Sequence, residues 1–271
     1  MNGKIIVPVS GGKDSQLCLQ MALEEHGKER VVAVHQSTGF DHPLTDKHLI
    51  DMENFYEIKI HMTKSDKYKD VFDFVEKVGY FPSSVAKSCT SRLKQQPFAK
   101  WLIDNNYCDG THIIWMGMRK DESRARGTKY SGWNEDIEIT LQDFSTEYRN
   151  KAFANVKVRL PIVDFLENEV FDELNKIQAP INPLYAKGHK RVGCYPCLLS
   201  ANAEWERVAQ DPIGRENIKK LIEIEDKFIA DKNPRKMIKI HPTRNVRASL
   251  DDDLFTLEEE ENNSECSWCQ I

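Results

Sequence analysis

Lys4-Ile5-Ile6-Val7-Pro8-Val9-Ser10-Gly11-Gly12-Lys13-Asp14-Ser15 is the stretch on which the reading of this chain turns. A short apolar run ends in a glycine pair, and a helical pattern, Gln16 to Glu25, follows at once. In a strand–loop–helix unit, glycine lets the backbone turn tightly and approach an anion, and amides at the helix N-terminus hold its oxygens with help from the helix dipole. Lys13 adds a cation, and Ser10 and Ser15 add hydroxyls. Asp14 is the odd member, because a carboxylate repels phosphate unless a cation bridges them; it points to Mg²⁺ on a pyrophosphate. The spacing is not that of the Gly-x4-Gly-Lys-[Ser/Thr] phosphate loop. The plainer alternative is a glycine-rich turn that only caps a helix.

Working outward, Val31 to His35 reads as a second strand, Leu44 to Tyr56 as a helix and Glu57 to Met62 as an alternating strand. Tyr68 to Val78 has helical spacing, Phe98 to Ile103 makes a short helix, and His112 to Met116 and Val156 to Leu160 read as strands. Strands alternating with helices predict an α/β fold with a doubly wound, mostly parallel sheet covered on both faces, and ligands at the carboxyl ends of its strands. Residues 1–200 are assigned to this nucleotide-binding domain. Residues 201–271 are assigned to a helical and charged C-terminal extension with a flexible, cysteine-containing tail. The extension holds a charged helix around Glu216 to Asp231, a basic run with Lys232, Arg235, Lys236, Lys239, Arg244 and Arg247, and an acidic run from Asp251 to Glu261. Both runs are ordinarily solvated surface, and the acidic one reads as a spacer.

The 271 residues carry a net charge of −5, so no general basic field attracts nucleic acid; a local groove along Lys232 to Arg247 is the one feature that would suit it. No basic segment followed by an apolar stretch opens the chain, and no run approaches ~20 apolar residues, which predicts a cytoplasmic protein without membrane contact. Seven cysteines in such a chain point to thiols, a metal or catalysis rather than a disulfide scaffold. Cys194 and Cys197 are spaced to hold one metal or cluster iron on a turn, with Cys89, Cys266 and Cys269 as candidate partners. Cys18 reads as a small core residue, and Cys108 has no assigned role.

Four further segments stand in order after the loop. They are Thr38-Gly39-Phe40-Asp41-His42-Pro43, Cys89-Thr90-Ser91-Arg92-Leu93-Lys94-Gln95-Gln96-Pro97, Gly117-Met118-Arg119-Lys120-Asp121-Glu122-Ser123-Arg124, and Asn182 to Gly188 leading into Arg191-Val192-Gly193-Cys194-Tyr195-Pro196-Cys197. Together with Ser10 to Ser15, they resemble the phosphoadenosine phosphosulfate (PAPS) reductase-like branch of the adenine nucleotide alpha hydrolase fold, whose loop is the PP-loop of N-type ATP pyrophosphatases. The branch includes sulfonucleotide reductases, sulfate adenylyltransferase small subunits and the ATP pyrophosphatases of DNA phosphorothioation.

The resemblance implies ATP with Mg²⁺ as the bound nucleotide, cut between the α- and β-phosphates, with an acceptor still to be identified and a sulfur donor or thiol reductant protein as partner. Ser10, Gly11, Gly12, Lys13, Asp14, Ser15, Thr38, Gly39, Gly117, Arg119 and Arg124 are the implied nucleotide-binding residues. Lys13, Asp14, Arg119 and Cys266 are the implied catalytic ones. Arg119 and Arg124 suit phosphate or sulfate by bidentate contact, and their alternative is a surface salt bridge with Asp121 or Glu122. In cluster-bearing sulfonucleotide reductases a Cys-Cys pair joins the later Cys-x-x-Cys around a [4Fe–4S] cluster. Here the pair is Cys89-Thr90, so a tail cysteine would have to supply the fourth ligand; zinc ranks second and no metal third. Glu265-Cys266 resembles the start of the catalytic tail of those reductases, with Ser267 in place of glycine and Cys269 added. The intact loop favours ATP use over reduction of adenylyl sulfate or PAPS, and a non-catalytic nucleotide-binding subunit is the third alternative.

Overall fold

The computed structural model of the chain describes residues 3–83, 87–232, 238–241 and 246–250. Cys266, Cys269, the acidic run, and Arg235, Lys236 and Arg244 of the basic run lie outside the described residues. The elements in chain order are β1 Ile5–Val9, α1 Lys13–His26, β2 Val31–Gln36, α2 Pro43–Tyr56, β3 Ile60–Thr63, α3 Val71–Val78, α4 Gln96–Asp104, β4 Ile113–Trp115, α5 Arg124–Lys129, β5 Glu138–Thr140, α6 Leu141–Phe144, β6 Lys157–Arg159, α7 Glu167–Lys176, α8 Pro183–Ala186, α9 Asn202–Gln210 and α10 Pro212–Ala230. A π-helical segment, Thr90–Gln95, runs directly into α4.

Among the described residues one six-stranded sheet forms, in the order β3-β2-β1-β4-β6-β5. All pairings are parallel except that of β5 with β6, an edge strand the sequence did not announce because Glu138–Thr140 is too short for a period to show. β1 sits at the centre, in register with β2 (Val9 opposite His35) and with β4 (Ile6 opposite Ile114). Its side chains alternate between two cores, as the period of a strand requires. Ile5, Val7 and Val9 pack with Leu19, Ala22 and Met52, while Ile6 packs with Phe98, Leu102 and Val158. Burial on both faces is why these strands read as continuous apolar runs.

The chain's own caps set the element ends. α2 is capped by the His42 side chain, which accepts from Leu44 N at 3.0 Å, and carries Pro43 at its first position. It ends at Glu57 in the left-handed conformation, so the expected strand from Glu57 begins only at Ile60. Asp70 caps α3 by accepting from Asp73 N, so the expected helix from Tyr68 starts at Val71. α9 and α10 join α3 in a third core holding Phe74, Trp205, Ile218, Leu221 and Phe228. The boundary expected near residue 200 thus falls inside a contiguous core. No described helix is long and apolar enough to cross a membrane.

Because β2 and β3 build out from one side of β1 and β4 from the other, the chain reverses direction between β1 and β4. That switch point opens a crevice at the carboxyl ends of the strands.

Candidate active site

The loop from β1 into α1 occupies that crevice. Gly11 has φ +76°, and a Cβ there would stand 2.7 Å from Thr45 Cγ2, so both conformation and space require glycine. The loop closes on itself: Ser15 Oγ accepts from Ser10 N and donates to Gly12 O, each at 3.0 Å. It is braced from outside by the Asn182 to Gly188 segment. Asn182 Nδ2 donates to Gly11 O at 3.0 Å and to Thr45 Oγ1 at 3.3 Å, while Tyr185 OH accepts from Lys13 N at 3.0 Å. Burial pushes the Tyr185 phenol up, which keeps it a neutral hydrogen-bonding group. The sequence set Asn182 to Gly188 among the motifs that accompany the loop, but the contact across some 170 residues is made only by the fold. Gly117, just past β4, lies against the start of α1, where a Cβ would be 2.5 Å from Asp14 O.

Lys13, Asp14 and Arg119 meet in one buried ion cluster. Arg119 Nε donates to Asp14 Oδ1, and its Nη1 lies 3.1 Å from Asp121 Oδ2 and 3.3 Å from Phe165 O. Lys13 Nζ lies 3.5 Å from Asp14 Oδ2 and 3.0 Å from Glu167 Oε1, over the rings of Phe171 and Tyr185. Arg119 is 2% exposed and its buried partner is Asp14, while Asp121, the partner expected from the sequence, reaches it from a side chain that is 44% exposed. Glu167, which opens α7, is the member sequence reasoning missed; its side chain is 55% exposed. Asp14 spends its charge on Arg119 and Lys13. Among the described residues no three His, Cys, Asp or Glu side chains close on one metal ion. Mg²⁺ carried on phosphates needs only one or two carboxylates, and Asp14 stands at the loop with its two oxygens facing Arg119 and Lys13.

Beside the loop lies a cleft of about 540 Å³, lined by Ser10 and Ser15 from the loop, His35, Gln36 and Asp41 from the end of β2 and beyond, Lys94, Gly117 and Gly193. His35 Nδ1 donates to Val9 O at 2.8 Å. Asp41 Oδ2 accepts from Thr38 Oγ1 at 3.3 Å and lies 3.9 Å from His35 Nε2. Burial pushes the Asp41 carboxyl up, but the His35 ring, the Lys94 ammonium and the Thr38 N–H outweigh it and hold the group below its ordinary value. Gly39 has φ +64°, and a Cβ there would meet Lys69 O at 2.6 Å, so its place in the motif follows from the turn itself.

A second cavity, about 380 Å³, is lined by Cys89, Cys194 and Cys197 with Thr38, Phe40, Val71, Leu93 and Lys94 among its other walls. Lys94 thus borders both cavities, and Thr38 joins them, since its Oγ1 lies 3.4 Å from Cys194 Sγ. The backbone does the same: Asp41 and Cys194 form an antiparallel bridge, and Tyr195 N donates to Phe40 O at 2.8 Å. The fold therefore gathers three of the five candidate metal-ligating cysteines around one mostly apolar space next to the cleft beside the Ser10 to Ser15 loop. Cys18 is fully buried in α1, and burial raises its thiol far above the ordinary range.

Other expectations land elsewhere. Arg124 opens α5 from an exposed position, and the buried arginine of that helix is Arg126, paired with Glu122. Arg92 is exposed. Arg247, at the end of the basic run, is neutralised by Asp226 at 2.6 Å and Glu225 at 3.3 Å, as solvated surface would be.

The model of the phosphoadenosine phosphosulfate reductase domain family matches residues 4–200, most of the chain. An uncharacterised protein of Methanocaldococcus jannaschii is 29% identical over 207 residues, 76% of this chain and 38% of the relative. This chain thus spans well under half of that relative's length. An adenosine 5′-phosphosulfate reductase of Staphylococcus haemolyticus is 24% identical over 202 residues, 71% of this chain and 70% of that protein. Among solved structures, a phosphoadenylyl-sulfate reductase from Candida auris in a phosphate complex superposes with a TM-score of 0.49 at 14% identity, covering 70% of this chain and 81% of that one.

Proposed function

As the chain belongs to the phosphoadenosine phosphosulfate reductase domain family, we propose that it is an AMP-forming ATP pyrophosphatase, which binds ATP with Mg²⁺, adenylates an acceptor and releases pyrophosphate. The observation that carries this is the loop Ser10 to Ser15 at the N-terminus of α1, with Lys13 beside it held by a half-exposed partner. The buried Arg119–Asp14 pair fixes the first turn of α1, and Asn182 and Tyr185 fix the loop. Lys13 is the adjustable member. Glu167 is the cheaper of its two anionic partners to exchange, and a phosphate oxygen would replace it on Nζ while Asp14 stays on Arg119. A lysine already placed in a site shielded from water stabilises charge on a leaving pyrophosphate without reorganising. On this reading the reaction serves sulfur transfer in the cytoplasm, with the acceptor still to be identified.

The purified protein incubated with ATP and Mg²⁺, with nucleotides separated by chromatography, is expected to yield AMP and pyrophosphate. ADP and phosphate as products would reject the assignment. A second reading, reduction of adenylyl sulfate or PAPS, is favoured by the relatives that carry the reductase name and by Glu265-Cys266. Sulfite release that is lost in Cys266→Ser would promote it.

What supports a cluster over a single ion is the apolar lining of the thiol cavity, with Cys89, Cys194 and Cys197 among its walls, although among the described residues no three such donors close on one metal ion. Cys266 or Cys269 would complete four thiolates. When bound, a [4Fe–4S] cluster supplies a one-electron redox couple or a Lewis-acidic iron. Anaerobic purification is expected to give iron and acid-labile sulfide in near-equal amounts, lost in Cys194→Ser. Stoichiometric zinc without iron would count against the cluster.

A further inference from the structure

Lys13 is the one cation of the loop Ser10 to Ser15, and two carboxylates and two aromatic rings already surround it. Glu167 and Phe171 stand one turn apart on the same face of α7, and both reach the lysine: Glu167 Oε1 lies 3.0 Å from Nζ, and the Phe171 ring centroid 5.4 Å. Tyr185 closes the other side at 5.1 Å and meets Phe171 edge to face. The backbone at the start of α7 is anchored. Glu167 N donates to Asp121 Oδ2 at 3.1 Å, and the same oxygen takes Arg119 Nη1 at 3.1 Å. The Glu167 side chain has more freedom, since it is 55% exposed while that of Lys13 is 4% exposed.

Charge sets the problem. Around the first turn of α1, two cationic side chains, Lys13 and Arg119, face three carboxylates, Asp14, Asp121 and Glu167. Arg119 is engaged by Asp14 and Asp121. With Glu167 in contact, Lys13 is neutralised as well, and a phosphate brought up to it meets a carboxylate already in place. Once Glu167 turns outward about its own side-chain torsions, Lys13 is free for an anion. The rings of Phe171 and Tyr185 then hold the ammonium without neutralising it.

We propose that Glu167 is a built-in competitor for Lys13: a positioning residue that gives up the ammonium when pyrophosphate forms and takes it back to expel that product. The inference rests on the loop assignment argued above and adds how the leaving group departs. A preorganised lysine in a shielded site holds pyrophosphate as product too, and slow product release then limits turnover. A carboxylate tethered beside Nζ acts at a high effective concentration, so it lowers the product's affinity without altering the contact that Nζ makes to it.

The experiment is calorimetric titration of the full chain with inorganic pyrophosphate, with and without Mg²⁺, repeated on Glu167→Gln and on Glu173→Gln. Glu173 lies on the same helix and pairs with Lys176, so its variant removes the same charge from α7 away from Lys13. Glu167→Gln is expected to bind pyrophosphate at least about threefold more tightly than the unaltered protein, the scale of one lost ion pair. Glu173→Gln should stay close to the unaltered value. A gain in affinity is a result that mere damage to the fold would not give. Unchanged or weaker binding by a folded Glu167→Gln, in either condition, overturns the proposal, and so does an equal gain in Glu173→Gln, which would trace the effect to the general field of α7. In those cases pyrophosphate binding by the unaltered protein leaves the loop assignment standing. Failure of both the unaltered protein and Glu167→Gln to bind pyrophosphate rejects the loop assignment itself, and this proposal with it.

Discussion

Lys13→Ala is expected to lower AMP formation from ATP by about a hundredfold or more, the scale of losing one preorganised charge contact. Its fold should persist. The lysine's partners are a half-exposed Glu167 and an Asp14 that keeps Arg119, so the substitution strands no buried charge. Initial rates of AMP release, alongside a thermal melt to show the variant is folded, check both halves. Normal turnover in a folded Lys13→Ala protein would remove the loop from the chemistry and with it the proposed function.

Arg119→Met should fail differently. Asp14, at 5% side-chain exposure, loses its closest cation, and Asp121 and the Phe165 carbonyl lose theirs too. Breaking a buried pair from one side costs about 3–5 kcal/mol, because a charge is left uncompensated in the interior. Urea unfolding measures this directly. The double variant Asp14→Leu/Arg119→Met should recover much of the loss, since removing both charges removes the desolvation penalty as well. A single-variant cost under about 1 kcal/mol would mean that the cluster does not brace α1. The contrast with Lys13→Ala follows from the structure alone: from sequence, Lys13 and Asp14 are neighbours with similar prospects, both facing a ligand. In the folded chain one is exchangeable and the other is tied down.

Local features of the chain were legible wherever they obey a local rule. Alternating strands and helices gave the parallel α/β sheet, because a strand buried on both faces must be apolar throughout and a crossover needs a helix. Gly11 is a short-range requirement of this kind, whereas the caps at His42 and Asp70 went unread and Asp70 moved the start of α3 from the expected Tyr68 to Val71. Other elements were hidden for equally local reasons: β5 is three residues long, and the first two turns of α1 are buried nearly all round, which leaves no polar face to mark its start at Lys13.

By itself, then, the sequence determined the fold class, the phosphate-type loop and the order of the motifs, since each is fixed by backbone conformation and periodicity over a handful of neighbours. Only the tertiary structure decided who faces whom: Tyr185 and Asn182 on the loop, Glu167 on Lys13, Arg119 on Asp14, three cysteines around one cavity, and Asp41 beside His35. These pairings span up to about 170 residues of chain, as Asn182 to Gly11 does. Burial and charge compensation act on distances in space, and a linear sequence does not contain those until the sheet has closed.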